Sequence, residues 1–132
     1  MDRDELRTRT KKFALRVIKL VNALPRGAVG NVLGRQLLKA ATAIGANYRE
    51  ALRASSRRHF TSIIEISVRE ADEALYWLEL LAESGVMKAS RLSELIEECN
   101  ELVAIFASTA KTAKTTPSST ANSKSQIPNP KS

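Results

Sequence analysis

Apolar side chains recur at steps of three and four along most of this chain, the spacing that places them on one face of an α-helix. Leu6, Phe13, Val17, Leu20, Val21 and Leu24 form the first such stripe and predict a helix over about 4–24. Asp2, Asp4 and Glu5 stand at its start, where negative charge suits the helix dipole, and Pro25 stops it. After the turn at Pro25-Arg26-Gly27, the stripe Val29, Leu33, Leu37, Ala40, Ile44, Tyr48, Ala51 and Leu52 predicts a second helix over about 29–54. Its small residues Ala40, Ala41, Ala43, Gly45 and Ala46 let a neighbouring helix come close. Gly45 costs about 1 kcal/mol of helix propensity against alanine, which points to a packing reason for it.

Ser55-Ser56 breaks the pattern and supplies a cap for a third helix over about 57–84, with Phe60, Ile64, Ser67, Ala71, Leu75 and Leu78 inward. Gly85 fits the position after its last turn, with Val86 placed for the accompanying contact. Ser90 is expected to cap a fourth helix over about 91–109. Its core face is Leu92, Leu95, Ile96, Cys99, Leu102, Val103 and Phe106, and Glu94, Glu97, Glu98 and Glu101 turn outward. No strand alternation occurs. Four helices joined by short turns make an all-α, antiparallel up-down-up-down four-helix bundle over residues 1–110 the economical packing. From there to Ser132 the text is Ser, Thr, Ala, Lys and Pro, so residues 111–132 are expected to be a disordered basic tail.

Composition narrows the chemistry. One cysteine, Cys99, excludes an internal disulfide framework, and one histidine, His59, excludes a His/Cys metal cluster. No secretory signal or membrane span is visible, so a cytoplasmic protein that does not engage the membrane is expected. The net charge of +7 is uneven: residues 1–58 hold fourteen Lys/Arg and four Asp/Glu, and residues 59–110 hold three Lys/Arg and ten Asp/Glu. That dipolar pattern fits binding of a polyanion, head-to-tail association of copies, or both.

Four constellations carry candidate chemistry. Arg9, Lys12, Arg16 and Lys19 on the first helix and Arg35, Lys39, Arg49 and Arg53 on the second form rows of cations suited to a phosphate backbone. Few aromatics lie among them, so stacking on single-stranded bases is not indicated. The junction Ser55-Ser56-Arg57-Arg58-His59 sets two more cations, Arg57 and Arg58, at a helix start where free N–H groups attract anions. The polar set Asn47, Glu50, Glu70 and Glu73 fits a hydrogen-bonded network that fixes helix register or subunit contacts. A di-metal site would need Glu-x-x-His pairs, which are missing. Finally Ile63, Ile66, Trp77 and Leu80 form a second apolar face on the third helix, a surplus that points to contact with another copy, with Trp77 as its anchor. No glycine-rich phosphate loop, nucleophile elbow or catalytic dyad is present, so neither an enzyme nor a cofactor is expected.

The run Leu24-Pro25, Leu33-Gly34-Arg35-Gln36-Leu37-Leu38, Ala43-Ile44-Gly45-Ala46-Asn47-Tyr48-Arg49-Glu50-Ala51, Phe60, Glu70, Glu73 and Tyr76-Trp77-Leu78 resembles one family. It is similar to the four-helix-bundle proteins encoded by intervening sequences within bacterial 23S ribosomal RNA genes, over about residues 3–108. Lys39 and Ala40 depart from the Arg-Ser that this family often carries there. The resemblance implies a left-handed bundle assembled into a homopentameric ring, with no established enzymatic activity. It also implies kinship with the basic accessory proteins of diversity-generating retroelements, which bind nucleic acid and a reverse transcriptase. The expected partners are therefore other copies of the chain, RNA or DNA, and a nucleic-acid-processing protein. The expected function is non-catalytic binding of structured nucleic acid through the basic rows, and the alternative is a protein-interaction scaffold whose charge asymmetry serves ring assembly.

Overall fold

The computed structural model describes residues 1–115, which fold into four α-helices: α1 (Arg3–Asn22), α2 (Ala28–Ala51), α3 (Arg57–Glu83) and α4 (Ala89–Thr115). Among the described residues there is no strand. Each helix packs antiparallel on the next, and α4 returns to α1 along a thinner seam that closes the bundle.

Local chemistry sets the boundaries. Asp2 accepts from the Glu5 backbone N–H at 2.8 Å while Glu5 Oε1 accepts from the Asp2 N–H at 3.4 Å, a reciprocal cap that starts α1. Pro25 denies Leu24 a helical conformation, so α1 ends at Asn22, two residues before the expected stop. The N–H groups of Ala23 and Leu24 bond three residues back, to Leu20 and Val21. The chain then reverses tightly enough that a Cβ on Gly30 would lie 2.7 Å from the Pro25 carbonyl oxygen, so that position needs glycine. Ser56 Oγ accepts from the His59 N–H at 3.0 Å and starts α3. Gly85, at φ +77°, turns the chain out of it.

Helix α4 departs from expectation at both ends. It begins at Ala89, and Ser90 lies in its first turn, its carbonyl accepting from Ser93 Oγ, so Ser90 is not the cap. It continues to Thr115 because Thr109, Ala110 and Ala113 prolong the buried stripe begun by Phe106. Small side chains that read as a polar tail are thus part of the core. The expected disorder is corrected for residues 111–115, and the rest of that expectation, 116–132, lies outside the described residues.

The core centres on Leu6, Phe13, Val17, Leu37, Ile44, Tyr48, Phe60, Ile64, Leu78, Leu81, Leu92, Leu102 and Phe106. Two positions differ from the stripes: Val29 is 54% exposed, and Ile63 belongs to the core rather than to a second face. Two side-chain bonds fix helix register. Ser67 Oγ donates to the Ile44 carbonyl between α3 and α2, and Cys99 Sγ donates to the Ala71 carbonyl between α4 and α3, both at 3.3 Å. Gly45 earns its place against α1, since a Cβ there would stand 3.0 Å from Thr10 Oγ1. The start of α1, the end of α2, the start of α3 and the end of α4 therefore share one end of the bundle, termed proximal below.

Tyr48 carries a cost within this core. Its ring is fully buried and meets Phe106 edge-on at 5.5 Å, but its hydroxyl has no hydrogen-bond partner among the described residues. Burial pushes the Tyr48 phenol up from 10.0 to about 12, and the Cys99 thiol up from 9.0 to about 12. Below pH 9 both groups hold their protons folded or unfolded. As pH rises past 9 and then 10, the unfolded chain releases protons that the folded chain keeps, so stability falls until about pH 12. Tyr48→Phe is expected to raise stability by roughly 1 kcal/mol at neutral pH and to flatten the alkaline fall, as read by urea unfolding at pH 8 and pH 11. A loss of stability at pH 8 contradicts this assignment.

Candidate nucleic-acid interface

The structure divides the expected cationic rows. Arg9 reaches across the α1/α4 seam, donating through Nε to Glu98 Oε2 at 2.7 Å and through Nη2 to Glu98 Oε1 at 2.8 Å, and it also pairs with Glu101. Arg16 approaches Glu94 at 3.8 Å on the same seam. These contacts hold the Arg9 guanidinium firmly cationic and give the sparsely packed seam its main polar clasp. Arg9 thus serves closure of the bundle, Arg16 only weakly through its exposed approach to Glu94, and Glu98, expected to face outward, is half-buried beneath Arg9. Lys12, Lys19, Arg35, Lys39, Arg49 and Arg53 are exposed and form no ion pair among the described residues. Lys39 leans toward α3, near enough to act on Glu70.

Two grooves gather cations, and of these six only Arg49 lines one of them. The first lies between α1 and α2, where Thr10 meets Gly45. Ala14, Thr42, Gly45 and Ala46 line it beside Arg7, Lys11 and Arg49, around a cavity of about 210 Å³. Arg7 also pairs with Asp4 at 2.6 Å, an exposed contact that holds it weakly. Arg7 and Lys11 were not among the residues singled out in the sequence, although the close helix approach marked by Gly45 locates them.

The second groove lies between the start of α3 and the end of α4. Two adjoining cavities of about 450 Å³ each share Glu65 and Lys114. Arg57, Arg58, Thr61 and Ser62 line one, and Val68, Arg69, Ala107, Ala110 and Lys111 line the other. Glu65 pairs with Lys114, whereas Arg58, Arg69 and Lys111 meet no carboxylate among the described residues. The charge asymmetry seen along the chain becomes a lateral one, with the cation excess on the α1/α2 side, and both ends are mixed. The proximal end carries Arg3, Arg7, Lys11, Lys12, Arg49, Arg53, Arg57, Arg58, Lys111 and Lys114 with Asp2, Asp4, Glu5, Glu50 and Glu65, and the far end carries Glu73, Glu79, Glu83, Glu94 and Glu97 with Lys19, Arg26, Arg35, Lys88 and Arg91.

The α2/α3 flank has another character. Asn47 donates to the Ala43 carbonyl one turn back in its own helix at 2.9 Å, so the α2/α3 register bond is that of Ser67 instead. Glu50 is exposed. Glu70 is half-buried, and burial, followed by the charge of Glu73, raises its carboxyl above the ordinary value, with Lys39 and Arg69 acting in the opposite sense. Ile66, Trp77 and Leu80 are half-buried, and Tyr76, 53% exposed, packs edge-on against Trp77 at 5.1 Å. The Trp77 indole N–H has no acceptor among the described residues. The Ser67–Ile44 register brings Val29 and Val32, each 54% exposed, level with Trp77 and Leu80. Among the described residues no group of three His, Cys, Asp or Glu is placed to hold a metal, and no helix is long and apolar enough to cross a membrane.

Comparison with known proteins bears on this surface. A family model described as 23S rRNA-intervening sequence protein matches residues 4–108. A protein of unknown function from the S23 ribosomal protein family of Bacteroides thetaiotaomicron VPI-5482, whose crystal structure is known, shares 30% identity and superposes with a TM-score of 0.75. The match covers 84% of this chain and 99% of that one. No curated protein matches the chain.

Proposed function

The chain belongs to the 23S rRNA-intervening sequence protein family, and from that premise we propose that it is a non-catalytic, oligomeric bundle that binds RNA, or DNA, through phosphates. The observation that carries this reading is the α1/α2 groove. Helices drawn together at Gly45 leave a floor of small side chains between Lys11, Arg7 and Arg49, and Arg53 continues the cationic strip toward Arg57 and Arg58. A phosphodiester backbone is the ligand such a strip suits, because Lys11, Arg49, Arg53 and Arg58, which meet no carboxylate among the described residues, release condensed counterions on binding one. The α1 half of the original rows contributes less, since Arg9 is engaged by Glu98 and Glu101 of α4.

A second reading rests on the apolar flank of α2 and α3, where Val29, Val32, Tyr76 and Trp77 lie toward the end of the bundle away from the α1/α2 groove cations. Here the protein is a scaffold, and its charge asymmetry serves assembly. Salt separates the two readings. Binding of a nucleic-acid hairpin is expected to weaken linearly on a log–log plot between 50 and 200 mM salt, by roughly 0.9 per phosphate contact. Affinity that does not fall as salt rises would sink the nucleic-acid reading. Dissociation of the oligomer over the same range, with no hairpin bound, would favour the scaffold.

A further inference from the structure

We propose that the outer face of α1 in one copy lies along the α2/α3 flank of the next, so that copies join through unlike faces. This rests on the oligomeric reading above and names the two faces that meet. Leu15, 56% exposed, and Ile18, 39% exposed, form an apolar pair on the side of α1 turned away from its own core. Lys12 and Lys19 stand a turn to either side of Leu15, exposed and meeting no carboxylate among the described residues. Both lie outside the two cationic grooves. The α2/α3 flank carries the complement. Ile66, Glu70, Glu73, Trp77 and Leu80 follow steps of four and three, so carboxylates and apolar side chains share one stripe of α3. Glu70 and Glu73 form no ion pair among the described residues, and only Lys39 and Arg69 act on Glu70 from a distance.

The register of the bundle sets these groups at matching heights. Thr10 meets Gly45 across α1 and α2, and Ser67 bonds the Ile44 carbonyl across α3 and α2, so Thr10 stands level with Ile66. Helices α1 and α3 run in the same direction with the same rise, so Leu15 and Ile18 stand level with Ala71 and Ala74, between Ile66 and Trp77. Lys12 stands level with Val68, and Lys19 with Leu75. A second copy set beside the first, unshifted along its axis, therefore lays Leu15 and Ile18 into the apolar stripe. The same placement makes Lys12 and Lys19 bracket Glu70 and Glu73, so opposite charges and apolar side chains meet together. Two flanks meeting each other would leave Leu15 and Ile18 in water. Helix α1 packs on α2 and α4, diagonal to α3, so each copy presents both faces at once and can engage a neighbour through each.

The test measures the mass of the full chain and its variants by light scattering, with helix content followed by circular dichroism. Leu15→Glu spoils the α1 face at an exposed position, where it also sets a carboxylate against Glu70 and Glu73, and Trp77→Ala spoils the flank. Each variant alone is expected to be a 14.5 kDa monomer with the helix content of the parent. An equimolar mixture of the two is expected to form a dimer, because each variant keeps the face that the other has lost. Charge exchange gives a second measure that leaves Trp77 in place. Lys19→Glu or Glu73→Lys alone is expected to weaken assembly roughly tenfold, and the two together to restore it to within about threefold of the parent. Leu15→Glu assembling like the parent, a mixture that stays monomeric, or a charge exchange without recovery overturns the proposal and leaves the oligomeric reading standing. A parent chain that is itself monomeric overturns both.

Discussion

Lys11→Glu, Arg49→Glu and Arg53→Glu combined are expected to reduce nucleic-acid affinity by roughly a thousand-fold at low salt. Each contact between a cation and a phosphate is worth about 1.4 kcal/mol, a factor of ten, and reversal adds repulsion to the loss. The log–log salt slope should fall by about 0.9 for each contact removed on a duplex. All three side chains are exposed and unpaired among the described residues, so folding should change by less than about 0.5 kcal/mol each. Arg9→Gln is the matched control. It removes one cation of the same chain but breaks the clasp on Glu98 and Glu101, so it should lower stability and leave the salt slope where it was. The opposite pattern, a slope unchanged by the triple reversal and flattened by Arg9→Gln, would return the interface to the α1/α4 seam and contradict the groove.

That contrast marks where the sequence could be read and where it could not. The bundle was legible because its apolar residues keep steps of three and four, and because Pro25, Ser56 and Gly85 punctuate the helices by local chemistry that needs no tertiary partner. The end of α4 was not, since Thr109, Ala110 and Ala113 are small enough to look like tail composition and become core only against α3. The direction of Arg9 was hidden for a related reason. A single helix shows which residues share a face but not which flank meets a neighbour. The signal was nevertheless present: Arg9 and Arg16 are spaced to meet Glu98 and Glu94 when two helices run antiparallel. The α3/α4 groove joins residues some fifty positions apart, so no local pattern in the chain announces it. Asn47, prominent in the sequence, uses its amide on its own helix, and Ser67, legible only as an inward position, makes the bond between helices.

Trp77→Ala is expected to turn the proposed oligomer into a 14.5 kDa monomer, measured by light scattering. The indole is half-buried at the edge of the core, and Tyr76, Val29 and Val32 extend apolar surface around it. Aromatic anchors of this kind commonly carry about 2 kcal/mol or more of an interface. Because Trp77 also packs on the core, Val32→Glu supplies a variant whose exposed position leaves the fold alone and places a charge in the same patch. Monomers of either variant should keep the salt slope of a single subunit while losing the avidity that several grooves on one assembly provide. An assembly that survives both changes shows that copies meet elsewhere. Monomers whose nucleic-acid affinity equals that of the parent show that assembly and binding are separate, with each bundle acting alone.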